Sequence, residues 1–167
     1  MRIPSLITLL ILSLSTTVHA APSTPAMGAG FEPLAFLVGE WTGTDPEGLP
    51  IRASYAFTSG GTSLSEMLTP EKSPAMTTMY ILDGTHLMLT HYCSLNNQPR
   101  MRANDYMPGD RTLSFSFVDA TNLKSHSDAH MHRLTFEFKD RDHFSQTWIL
   151  SKDGREMPKT FHFVRVK

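Results

Sequence analysis

The chain has 167 residues, with 15 Lys and Arg against 16 Asp and Glu, 8 His and a single Cys. A near-neutral balance with no Lys/Arg run argues against general nucleic-acid binding, which draws on phosphate contacts, and against a basic membrane-surface helix. One cysteine excludes an intramolecular disulfide, and the length suits one domain with a substantial core.

Residues 1–20 read as a signal peptide. Arg2 supplies the positive end, Leu6 to Leu14 is almost wholly apolar, and Val18-His19-Ala20 suits cleavage before Ala21. The apolar run is too short to remain in a bilayer, and no Cys follows the cleavage site to carry a lipid. The expectation is a periplasmic or secreted protein with no stable membrane anchor after cleavage. Residues 21–30, small and Pro-rich, read as a disordered leader, and residues 31–167 as one domain. Phe31–Val38 is short and apolar. It predicts a helical turn across a barrel mouth, with Gly39 as its C-cap.

From Glu40 to the end, runs with period-two alternation recur. They cover Glu40–Asp45, Ile51–Thr58, Thr62–Leu68, Met76–Leu82, His86–Ser94, Arg100–Met107, Thr112–Val118, His130–Lys139, His143–Ser151 and Glu156–Val166. Turn residues separate them, as in Asp45-Pro46-Glu47-Gly48, Asp83-Gly84, Asn96-Asn97 and Asp153-Gly154. Short strands in a meander with free edges are a hazard that closure removes. The predicted fold is all-β: a closed antiparallel up-and-down β-barrel of about eight to ten strands. Asp119–Ala129 is long for a hairpin connection and predicts a lid at a barrel mouth.

Alternation assigns an inner face. It takes Leu87 and Leu89 on to His91 and Cys93, and sets Gln146 among Phe144, Trp148 and Leu150. It places Phe161 and Phe163 with Arg165, and gives His130 and His132 the parity of Leu134, Phe136 and Phe138. The interior is therefore aromatic at depth and polar toward one end.

Two constellations carry chemistry. His91-x-Cys93 and His130-x-His132 each put two donors on one strand face, a set suited to tetrahedral Zn or to Cu if the pairs converge. Haem, held by one His, is a further candidate. Asn97, Gln98 and Arg100 sit in a polar hairpin where an Arg could grip a carboxylate bidentately. The abundant Met residues suit irregular apolar surfaces and also simply fill cores. Nucleophilic catalysis has little support: there is no Gly-x-Ser-x-Gly elbow. Glu66 with Asp105 is the remaining acid–base candidate.

Gly39-Glu40-Trp41 opening the first strand, with Arg165 late in the last, resembles the lipocalin and calycin barrels. Phe36–Gly43, His91-Tyr92-Cys93, Asn97–Met101, Asp119–Asn122 and His130-Met131-His132 together resemble an uncharacterised family of secreted bacterial lipocalin-like proteins. The resemblance implies an interior cavity, and that Trp41 plugs one end of the barrel with Arg165 across its ring, a cation–π contact. It implies no activity. The primary reading is a barrel binding a small, mainly apolar ligand, with His91, Cys93, Asn97, Arg100, His130, His132 and Gln146 as candidate ligand contacts. The alternative is a metal- or haem-dependent protein using His91, Cys93, His130 and His132. The reading leans away from an enzyme and leaves the oligomeric state open.

Overall fold

The computed structural model describes residues 30–107 and 109–167; the expected signal peptide lies outside them, as does the leader except for Gly30. After a one-turn helix α1 (Glu32–Ala35) come ten strands. They are β1 (Gly39–Thr44), β2 (Pro50–Thr58), β3 (Ser63–Pro70), β4 (Met76–Asp83), β5 (His86–Tyr92), β6 (Gln98–Ala103), β7 (Thr112–Thr121), β8 (His130–Phe138), β9 (His143–Lys152) and β10 (Arg155–Arg165). Each strand pairs antiparallel with its sequence neighbour, and β1 pairs with β10 to close the barrel. The predicted closed antiparallel architecture is the observed one. At Gly43, in that seam, a Cβ would fall inside the His162 carbonyl oxygen, so only glycine lets β1 and β10 meet there.

One end is shut. Trp41 is buried, and its indole N–H donates to the Leu37 carbonyl at 2.7 Å. The Arg165 guanidinium lies 4.1 Å over the ring. It also donates to the carbonyls of Phe36 at 2.5 Å, Val38 at 3.1 Å and Arg141 at 3.1 Å. One side chain thus ties together the segment after α1, the β8–β9 turn and β1. The helix is shorter than the Phe31–Val38 turn predicted, and Gly39 is not its C-cap. The cap is Phe36, and Gly39, at φ +124°, is the first residue of β1. Two i→i+3 turns carry the chain between them. α1 closes this end with Phe31, Leu34 and Leu37 in the core.

Above the plug the interior is solid. Tyr55 on β2 packs against Phe144 on β9, and Tyr80 on β4 against Phe136 on β8, so rings meet across the barrel. Phe144 also stacks on Phe163 at 4.9 Å and meets Trp41 edge-on at 4.7 Å. The cavity expected inside the barrel is therefore confined to its other end. There the β1–β2, β3–β4 and β5–β6 connections form an open mouth.

Candidate functional site: the open mouth

Three polar layers lead from the core to the mouth. The deepest is centred on Glu66, on the inner face of β3. Tyr80 donates its hydroxyl to one carboxyl oxygen at 2.5 Å, and the Gln146 amide donates to the other at 2.8 Å. The same amide nitrogen donates to the Tyr55 hydroxyl at 2.8 Å. Burial pushes the Glu66 carboxyl up from its ordinary range, opposed by these donors, and burial raises both tyrosine hydroxyls well above theirs. The network is satisfied and enclosed, so its role is to hold β2, β3, β4 and β9 in one arrangement. Asp105 is exposed in the β6–β7 connection, outside this network, and is no acid–base partner for Glu66.

The next layer is His91, 2% exposed on β5. Its Nδ1 lies 2.9 Å from the hydroxyl of buried Thr78 on β4, and its ring packs 4.5 Å from Trp148 on β9. Its Nε2 is buried and has no hydrogen-bond partner among the described residues. Leaving such a group unpaired costs about 1–3 kcal/mol. Burial pushes the imidazole down to about 4, so it is neutral near pH 7. Beside it is a void of about 20 Å³, lined by Leu68, Met76, His91, Met131, Trp148 and Phe161.

The outermost layer is a vestibule of about 190 Å³, whose lining includes Asp45, Cys93, Leu95, Met131, Leu150 and Lys159. Met76, Met131 and Phe161 line both spaces and form the partition between them. Cys93 is free and buried, and burial raises its thiol.

Where the sequence placed His130 and His132 inside, β8 carries a bulge. Met131 pairs with Leu150 and Arg133 with Ile149, so one residue is extra. The alternation reverses above Arg133, and Met131 reaches the mouth in place of the histidines. β7 and β8 pair only from Thr112 to Ser116 and then part. Phe117, His130 and His132 fill that gap. The imidazoles are 3.3 Å apart, with Phe117 stacked on His132 at 5.3 Å and His130 Nδ1 2.7 Å from the Asp128 carbonyl. Burial, then the neighbouring His130, lowers His132.

His91 and Cys93 belong to the mouth, while His130 and His132 belong to the β7–β8 gap. Among the described residues no three His, Cys, Asp or Glu side chains group closely enough to hold a metal ion together. Asn97 donates to the Ala129 carbonyl at 2.8 Å, pinning the Asn122–Ala129 connection; its own Oδ1 is buried and unpartnered among the described residues. Arg100 is exposed on the outer wall and paired with Asp119, its Nε at 2.6 Å. Gln146 is wholly buried in the Glu66 network. Thr78 and Met131 are the mouth residues that sequence reasoning missed. Thr78 falls in a strand with mixed polarity, and the bulge that redirects Met131 leaves no mark in the residue pattern.

A larger concavity of about 560 Å³ lies on the outer wall of β7–β10, lined by Arg111, Glu137, Lys139, His143 and His162 among others. Neither unpartnered buried group faces it, so the mouth is the stronger site.

The solved structure of a DUF3598-family protein of unknown function from Nostoc punctiforme PCC 73102 is similar to this fold. Its TM-score is 0.53 at 12% identity, over 80% of this chain and 49% of that one. At that identity the likeness concerns the fold alone, and this chain spans about half the length of that protein. No protein-family model matches the chain, and neither does any curated protein.

Proposed function

We propose that this is an exported binding protein of the lipocalin-like type that takes a small, mainly apolar molecule through its open mouth. The observation that carries the reading is the pair of spaces sharing Met76, Met131 and Phe161. Methionine has three soft torsions and adapts to irregular apolar shapes. A shift of either side chain joins the vestibule to the void beside His91. The plug of Trp41 and Arg165 at the other end supports the lipocalin-like part of the reading. The vestibule is below the roughly 300–1,000 Å³ usual for drug-sized ligands, so the occupant is small. The reading of residues 1–20 as a signal peptide supports a mature protein in the periplasm or outside the cell.

The test is binding of toluene followed by the methyl NMR signals of the methionines. Toluene should shift Met76 and Met131 ahead of Met67 and Met107, which are exposed elsewhere. Met131→Trp should fill the partition and abolish the effect. Equal shifts at all four methyl groups, or binding untouched by Met131→Trp, would remove the proposal.

A further inference from the structure

His91 carries one buried nitrogen without a partner among the described residues and lines a space that is otherwise apolar, and the direction of its hydrogen bond can be worked out. Thr78 is 2% exposed, and among the described residues its hydroxyl has one side-chain partner, His91 Nδ1. A buried hydroxyl proton needs an acceptor. Thr78 therefore donates to Nδ1, and the neutral ring carries its own proton on Nε2. The Nε2–H is a donor with no acceptor among the described residues.

Water is a poor occupant for the adjoining void. About 20 Å³ is room for one molecule, but a buried water needs two to four polar partners, and here the other lining residues are Leu68, Met76, Met131, Phe161 and Trp148. The Trp148 indole N–H is turned away to Gln146 Oε1 at 3.4 Å. An anion fits no better. No cation lines the void, and a carboxylate without a partner cation pays heavily for leaving water. The chemistry left is a neutral acceptor on an apolar body.

We infer that the mouth recognises a small neutral molecule carrying one hydrogen-bond acceptor of the carbonyl class, which passes the Met76–Met131–Phe161 partition and accepts a hydrogen bond from His91 Nε2–H. This rests on the mouth being a binding site, and it adds the polar group that the ligand must carry.

Three probes of similar shape separate the ideas: acetophenone, isopropylbenzene and benzoate, titrated at pH 7.5. Acetophenone should bind about tenfold more tightly than either of the others, the worth of one well-formed buried hydrogen bond. Histidine side-chain ¹⁵N NMR of the free protein should show His91 in the Nε2–H form, and acetophenone should shift that nitrogen. His91→Leu should erase the preference over isopropylbenzene while both still bind.

The NMR readout needs no variant, so it stands if His91→Leu folds poorly. An Nδ1–H tautomer, equal affinity for acetophenone and isopropylbenzene, or tightest binding by benzoate would overturn the inference and leave an apolar mouth site standing. Failure of all three probes to bind would overturn the mouth reading itself, and this inference with it.

Discussion

Arg165 shows how much one side chain decides. Its guanidinium gives hydrogen bonds to three carbonyls while its flat face covers the Trp41 indole. Arg is suited to this because its planar fork donates in several directions and still stacks. Truncating Trp41 to Ala removes the plug and strands the Leu37 carbonyl. The expected loss is about 3–5 kcal/mol by urea unfolding, with toluene binding at the opposite mouth unchanged. His91 makes a second prediction at this scale. Its folded value of about 4 lies below the ordinary 6.5, so the unfolded chain holds more protons between those values. Stability from this group is complete above about pH 6.5 and is lost as pH falls through 4. The difference is about 3 kcal/mol. Unfolding midpoints measured across pH 4–7 should fall toward acid in the parent and fall less in His91→Gln. Glu66 works in the opposite sense. Burial raises its folded value, so its contribution is greatest in acid and declines as pH rises.

Among the elements, the β1–β10 seam and the β8 bulge matter most. The seam depends on Gly43, whose missing side chain lets the His162 carbonyl approach. Gly43→Ala should push the strands apart and cost about 2 kcal/mol or more, as overpacking does. Hydrogen exchange should then quicken in β1 and β10 before β4 and β5. The bulge in β8 moves Met131 into the mouth and leaves two histidines to seal the gap beside β7. The Asn122–Ala129 connection over that gap is held by Asn97. Asn97→Ala should cost about 1 kcal/mol, the usual worth of such a hydrogen bond. It should speed amide exchange in residues 122–129 while leaving the barrel strands protected.

For the whole molecule, closure is the governing feature. Barrel edges vanish only when β1, near the start, finds β10, near the end, so the pairing that closes the barrel spans most of the domain. The two tryptophans report on opposite ends of the interior, Trp41 at the plug and Trp148 beneath the mouth. Trp41→Phe and Trp148→Phe therefore leave one reporter each. If the barrel unfolds as a unit, fluorescence and circular dichroism should give coincident transitions within each variant. A separate early transition at Trp148 would mark the mouth as an independently opening region.

The division between sequence and tertiary structure follows from the range of the interactions involved. Alternation and turn residues are local, so ten strands, their antiparallel order and most inward positions are readable directly: Leu87, Leu89 and His91 on β5 with Cys93 just after it, and Phe144, Gln146 and Trp148 on β9. The Trp41–Arg165 plug is readable through resemblance, because residues near the start and the end of the domain's sequence mark it. The mouth was only half readable. Strand parity counts residues, and a bulge adds one without changing their character, so parity sets His130 and His132 inside and passes over Met131. Parity also says which way a side chain faces and nothing of what stands opposite. Only the closed barrel brings Gln146 on β9 to Glu66 on β3, filling an interior that the resemblance implies to be a cavity. Only the closed barrel set His91 against Trp148 with Nε2 unpaired, because that arrangement depends on strands that meet across the core rather than along the chain.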